Sequence, residues 1–257
     1  AGNVRSGLDL ADMQRWELVL LSLPLAHAYS CAFNFLVPMA VGAHVYLLGK
    51  VPSPKILLKA FEEVKPNLIL TVPLILEKIY KKMILPQLSK TTMKVALNIP
   101  LLDSRIYAQI RKKLVDAFGG RFREVIVGGA AMNEEVTNFL YKIKFPFTIG
   151  YGMTECGPLI SYDHNDEYVP GSCGQILKGI MKVRIDSEDP YNKVGEIQVS
   201  GENVMKGYYK NEEATSKVFT EDGWLRTGDL GTIDADNRIY IRGRSKTMIL
   251  GASGQNI

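Results

Sequence analysis

The sequence predicts an α/β fold: a mostly parallel sheet with crossover helices, followed by a small antiparallel, β-barrel-like unit. Three observations predict it. Short uncharged apolar runs alternate with helix-spaced segments from residue 18 to residue 151, as a parallel sheet covered on both faces demands. After Ser161 the helical periodicity fades, Gly and Pro recur, and brief β-rich runs take over. A chain of 257 residues that is 46% hydrophobic is long enough for one core or two adjoining ones.

Taken in order, residues 18–23 read as a buried strand, the stretch around 30–39 as a helix and 44–48 as a second strand. Ser53 and Pro54 suit the N-cap and first position of a helix whose apolar side is Ile56, Leu57, Ala60, Phe61 and Val64, and Pro66 ends it. A short buried strand over 68–72 and a helix over 74–83 come next. Asp103 opens a further helix, with Ile106, Ile110, Leu114 and Phe118 at helical spacing and Gly119–Gly120 as its stop. Strand 124–127, helix 133–143 and strand 147–151 complete the alternation. Shorter strands follow near 182–185, 196–199, 231–233 and 238–241. The predicted boundaries give an α/β subdomain over 1–165, a small β subdomain over 166–242, and a hinge with the start of a further domain over 243–257. The chain opens without Met in what reads as the middle of a helix, so a piece of a longer protein is expected.

Charge and composition narrow the function. The net charge of +4 is uneven, because residues 77–124 hold eleven basic and four acidic side chains. Such a patch suits coenzyme phosphates, anionic lipid, or simply a solvated face of two helices. It has no interleaved aromatics and no nucleic-acid motif, so nucleic acid is not an expected partner. Cys31, Cys156 and Cys173 form no C-x-x-C pair, which argues against a disulfide framework or a zinc knuckle. Without a secretory signal, a reducing cytoplasmic setting is the default. Residues 18–49 carry no Asp, Glu, Lys or Arg, yet Pro24 and Pro38 cut the run and His27, Asn34 and His44 interrupt it. It reads as strand, helix and strand rather than a membrane span. No feature speaks to oligomeric state.

Four segments carry groups that chemistry can use. Val125–Ile126–Val127 runs into Gly128–Gly129–Ala130, then Asn133 caps a helix opening with Glu134 and Glu135. Bare backbone at such a junction lets a planar ligand lie close, while the two acidic residues disfavour a phosphate, so a nucleoside face fits better. Gly150–Tyr151–Gly152–Met153–Thr154–Glu155 offers an aromatic face, close approach, a hydroxyl and a carboxylate suited to Mg²⁺. Between Gly223 and Gly231, Asp229 sits among glycines where it can accept two hydrogen bonds from ribose hydroxyls. Gly243 lets Arg244 present its guanidinium to ribose or phosphate oxygens. Each segment alone also fits an ordinary turn, a core tyrosine or a surface carboxylate. Their order and spacing together do not.

The YGMTE, WLRTGDLG and GRSKTMI segments resemble the core motifs of the adenylate-forming (AMP-binding) superfamily of acyl-CoA synthetases, luciferases and peptide-synthetase adenylation domains. Gly195–Glu196–Ile197, Gly207–Tyr208–Tyr209–Lys210–Asn211 and Leu23–Pro24–Leu25–Ala26–His27 match further landmarks of that family. The resemblance covers essentially the whole chain. The long connection before Gly119–Gly120–Arg121 and the GGAAM that follows are most similar to a bacterial long-chain fatty-acid–CoA ligase. This implies part of an acetyl-CoA synthetase-like large domain.

On that resemblance, Tyr151 borders adenine beside Gly128, Gly129 and Ala130, with Gly150 and Gly152 flanking it. Thr154 touches the α-phosphate and Glu155 binds Mg²⁺. Asp229 holds the ribose hydroxyls, Arg244 contacts the ribose from the domain junction, and Lys246 occupies the interdomain hinge. His27 lies where the acyl carboxylate and the coenzyme A thiol meet. The implied reaction has a fatty carboxylate attack the α-phosphate of ATP with loss of pyrophosphate. Coenzyme A then attacks the mixed anhydride to give acyl-CoA and AMP, and no cysteine serves as nucleophile. The resemblance also places a phosphate loop before Ala1 and a lid domain after Ile257, so this piece is expected to bind nucleoside weakly without turnover. Ligation of aryl or shorter acids is a second reading, and a non-catalytic nucleotide- or acyl-binding module a third. Peripheral contact with the inner membrane face stays open.

Overall fold

The computed structural model describes residues 2–11, 13–99 and 102–244. Five short strands build the first sheet: β1 (Leu18–Leu21), β2 (His44–Leu47), β3 (Leu68–Thr71), β4 (Glu124–Val127) and β5 (Phe147–Ile149). All pair in parallel, in the order β2-β1-β3-β4-β5. The order reverses between β1 and β3, so the loops leaving those two strands diverge at the carboxyl edge. Open α/β sheets take ligands at such a switch point.

Helices close the faces. Ser53 caps the helix Pro54–Val64 by accepting from the Ile56 N–H, and Lys65 ends it in the left-handed region just before Pro66. Phe61 from that helix stacks on Phe118, with ring centroids 5.2 Å apart, in a core that also holds Leu57, Leu76, Ile79, Leu140 and Phe147. Gly119 follows the helix Leu102–Ala117 at φ 93°, where a Cβ would stand 2.5 Å from the Phe61 carbonyl oxygen. Only glycine permits that approach.

A two-stranded ribbon, β6 (Tyr151–Gly152) and β7 (Leu159–Ser161), leads to the second sheet. That sheet is an antiparallel meander of β8 (Met181–Asp186), β9 (Gly195–Gly201), β10 (Leu225–Ile233) and β11 (Ile239–Arg244). Its core of Ile185, Ile197, Val199, Leu225 and Ile239 includes Tyr151, Cys156 and Ile160 from the ribbon. Buried Asp163 ties the two parts: its backbone oxygen accepts from Thr148, and its carboxylate pairs with Arg238 at 2.9 Å. At the amino end, the helix Gly2–Ala11 grips the ribbon turn through Asn3, which donates to the Cys156 carbonyl and accepts from the Leu159 N–H.

The fold class is the predicted one, with differences in detail. The strand expected over 147–151 stops at Ile149, because Tyr151 leaves the parallel ladder to pair with Ser161 in the ribbon and packs in the second core. The helix expected around 30–39 spans 28–41 and the one expected over 74–83 spans 73–88, each with a π-helical stretch, Cys31–Leu36 and Tyr80–Ile84. Short helices Thr91–Ala96 and Glu212–Val218 had no predicted counterpart. Among the described residues no helix is long and apolar enough to cross a membrane.

Candidate active site

Three loops converge at the carboxyl edge of the parallel sheet. After β1 comes Pro24–Leu25–Ala26–His27, with His27 half-buried at the N-cap position of the helix 28–41. One residue into that helix, the Tyr29 ring lies on Gly128, where an added Cβ would meet its Cζ at 3.2 Å, and its hydroxyl donates to the Ile126 carbonyl. After β3, Val72 stands next to Gly129, which adopts φ 90°. At this edge Gly128 is thus buried under Tyr29, Gly129 is exposed and Ala130 half-buried. The helix Glu134–Lys142 that follows has its N-terminus already complemented: the Glu77 carboxylate accepts from the Asn133 N–H at 2.8 Å. A carboxylate in that position complements the positive end of the helix dipole.

Charge enters from the second sheet. The register of β10 against β9 breaks between Arg226 and Leu230, with two more residues on β10 than on β9. Gly228 at φ 72° lies in this bulge, and Asp229 beside it meets Tyr151 of the ribbon. Across the hairpin Asp229 pairs in register with Arg244, whose Nε stands 2.8 Å from Oδ1. On the other side the Tyr151 hydroxyl donates to Oδ2 at 2.7 Å. Asp229 is only 5% exposed, so both oxygens need partners, and both have them. Burial and the neighbouring carboxylate push the Tyr151 phenol well above its ordinary value, so it stays a donor. Tyr151 is itself 6% exposed, its ring packed in the second core.

A third cluster surrounds Glu155. Gly152 leads into it so tightly that a Cβ would stand 2.0 Å from the Pro158 oxygen. Thr154 is exposed and Glu155 half-buried on a single 3₁₀ turn. The Tyr208 hydroxyl donates to Glu155 Oε1 at 2.8 Å, and the Met205 N–H to its backbone oxygen at 2.7 Å. Burial, then Glu155, pushes the Tyr208 phenol up to about 12. The Cys156 thiol, also pushed up to about 12 by burial and then Glu155, is held as a thiol. One carboxylate with its second oxygen clear of any side-chain bond among the described residues suits Mg²⁺ carried on phosphate oxygens. A cage of protein ligands is not built: no group of three His, Cys, Asp or Glu is so placed among the described residues.

Residues 3–209 match the family model described as AMP-binding enzyme. The chain belongs to the AMP-binding enzyme family. Among curated relatives it is 28% identical to the long-chain-fatty-acid–CoA ligase ACSBG2 of Gallus gallus, over 98% of this chain and 36% of that one. It is 31% identical to 4-coumarate–CoA ligase 5 of Oryza sativa subsp. japonica, over 91% of this chain and 40% of that one. The ATP-bound crystal structure of MatB from Rhodopseudomonas palustris matches with a TM-score of 0.73 at 23% identity, covering 100% of this chain and 45% of that one. The chain therefore spans less than half the length of these relatives.

Within this AMP-binding fold, the sequence-derived residues fall into separate groups. Gly128, Gly129, Ala130 and His27 share the carboxyl edge, Tyr151, Asp229 and Arg244 form one bonded unit, and Glu155 sits with Tyr208. Lys246 lies outside the described residues. No hydrogen bond or ion pair links His27 to Glu155 among the described residues. Tyr208, Tyr29 and Glu77 were not singled out for their contacts. The GYY landmark marked Tyr208, and the aromatic two residues past His27 marked Tyr29, but Glu77 carried no local signal.

Proposed function

We propose that the protein carrying this chain activates a carboxylic acid with ATP and passes the acyl group to coenzyme A. The observation that carries this is the convergence of Tyr151 and Arg244 on the buried Asp229 carboxylate. Such a carboxylate can exchange its guanidinium partner for ribose hydroxyls while the base lies along Gly128–Ala130. Thr154, exposed at the ribbon turn, serves as donor to the α-phosphate, and Glu155 holds Mg²⁺ with Tyr208 fixing its orientation. When bound, Mg²⁺ supplies positive charge to the phosphoryl oxygens. His27 positions the acid and the thiol at the switch point, and Lys246 belongs to the hinge. The α/β part over 1–165 supplies the base and acid edges, the β part over 166–242 carries the ribose anchor Asp229, and 243–257 is the hinge and the start of a further domain.

The carboxylate oxygen bonds to the α-phosphorus as pyrophosphate leaves. The thiol sulfur then bonds to the acyl carbon as AMP leaves, with the thiol proton passing to a base. Positioning and electrostatics account for both steps, without a covalent enzyme intermediate.

The acid is a long-chain fatty acid in this reading. The similarity to a long-chain-fatty-acid–CoA ligase supports it, and the 31% identity to a 4-coumarate–CoA ligase supports an aryl or shorter acid as the second reading. The apolar cavity of about 30 Å³ among Tyr29, Phe33, Val37, Leu68, Leu70 and Ile126 is too small for either an alkyl tail or an aryl ring. Acid-dependent exchange of pyrophosphate into ATP by the full-length protein tests both. Palmitate is expected to support exchange better than 4-coumarate or acetate. A preference for 4-coumarate would replace the long-chain reading, and exchange with none would remove the ligase.

A further inference from the structure

From Lys78 to Leu102 the sequence holds five Lys and no Asp or Glu. The structure makes this stretch a shelf of short helices. The helix 73–88 passes through its π-helical stretch, Thr91–Ala96 follows, and hydrogen bonds from Asn98 N–H to Val95 O and from Leu102 N–H to Ile99 O step into the helix Leu102–Ala117. No described residue from 85 to 99 is buried. Leu85, Val95, Ile99 and Leu102 stand out at 37–59% exposure, an apolar set the cores leave uncovered. Exposed Lys81, Lys82, Lys90 and Arg105 rim it and make no ion pair among the described residues, whereas Lys112 farther along pairs with Asp116 at 2.6 Å.

Unpaired cations around exposed aliphatic side chains on short helices are the chemistry of an element that lies in a lipid interface. The cations meet anionic headgroups and the apolar tips enter the acyl boundary. A soluble phosphate ligand would engage the cations but leave Leu85, Val95 and Ile99 in water. We propose that residues 81–99 and 102–105 dock the protein on an anionic lipid surface. The proposal is independent of which acid is used.

The test is co-sedimentation of the 257-residue chain with phosphatidylcholine vesicles, with and without about one-third phosphatidylserine. Binding is expected only to the anionic vesicles, falling roughly tenfold between low salt and about 0.5 M salt. The pair Val95→Asp with Ile99→Asp, and separately Lys81→Glu with Lys82→Glu, should each abolish it, while Leu47→Asp on the edge strand β2 should not. All these side chains are exposed, and an unchanged melting curve verifies the fold of each variant. Equal binding to neutral vesicles, no binding to either, or wild-type binding by the Val95→Asp/Ile99→Asp variant would overturn the proposal.

Discussion

The two sheets contribute to the candidate site in opposite ways. The parallel sheet offers backbone: Gly128 under Tyr29 and Gly129 beside Val72. The antiparallel sheet offers charge: Asp229, lifted by a bulge and held by Arg244 across the hairpin and by Tyr151 from the ribbon. Gly128, where a Cβ would press on Tyr29 at 3.2 Å, and Gly129, held at φ 90°, require glycine but no polar partners. A buried carboxylate tolerates change of shape and demands partners. The first region should therefore fail by crowding and backbone strain and the second by loss of binding.

Gly152→Ala breaks the comparison most severely. Its Cβ would stand 2.0 Å from a backbone oxygen that cannot yield, and the expected loss is about 3 kcal/mol, read as a lowered Tm. Gly129→Ala sharpens the point: its nearest neighbour is 3.9 Å away, so only the strain of φ 90° remains, about 1–2 kcal/mol. Equal losses for the two would show that clash is not what selects glycine at 152.

Asp229→Ala comes next. Affinity for ATP, measured by calorimetry, should fall by roughly one to two orders of magnitude. Unchanged affinity would take Asp229 out of the site.

Smaller again is Glu77→Ala, which frees the Asn133 N–H at the end of the Gly128–Met132 loop. Removing this charged acceptor should weaken nucleotide binding by about 1 kcal/mol, and Glu77→Gln, which keeps an acceptor oxygen, should recover most of it. Failure of glutamine to rescue would mean that the charge, not the loop's anchorage, matters.

The smallest effect concerns pH, far from the site. Burial pushes the Glu124 carboxyl up, but hydrogen bonds from His164, Tyr162 and Asn165 outweigh it and leave it below the usual range. The hydrogen bond to Glu124, against the opposing pull of burial, raises His164 above the ordinary imidazole value. A depressed carboxyl stabilises above its unfolded value and loses that as pH falls through its folded one. A raised histidine stabilises below its unfolded value and loses that as pH rises through its folded one. Tm should therefore be level between these limits and decline gently on the alkaline side. His164→Gln should abolish the alkaline step, and an NMR midpoint for His164 at or below the ordinary value would contradict the assignment.

The α/β alternation was legible because each strand there is a short, mostly apolar run with a glycine, proline or cap nearby, as Val125–Val127 with Gly128 and Ser53 with Pro54 illustrate. The helix Thr91–Ala96 was not, since Lys90 provides no side-chain cap and its apolar residues face outward. π-Helical stretches shift register without changing composition, so Cys31–Leu36 read as ordinary helix. The candidate residues were found through motif order, but their partnership was not. Tyr151 and Asp229 lie 78 residues apart, and pairing with Ser161 in the ribbon places the tyrosine in the second core rather than leaving its ring face open. The Glu77 contact, 56 residues from Asn133, is likewise a product of packing alone.

The most direct test of Asp229 as the ribose anchor is a calorimetric comparison of ATP with 2′,3′-dideoxy-ATP, on the wild-type protein and on Asp229→Ala. The expected result is that removing the hydroxyls weakens binding at least about tenfold in the wild type and leaves binding to the variant unchanged. Equal affinity of the wild type for the two nucleotides would contradict the account.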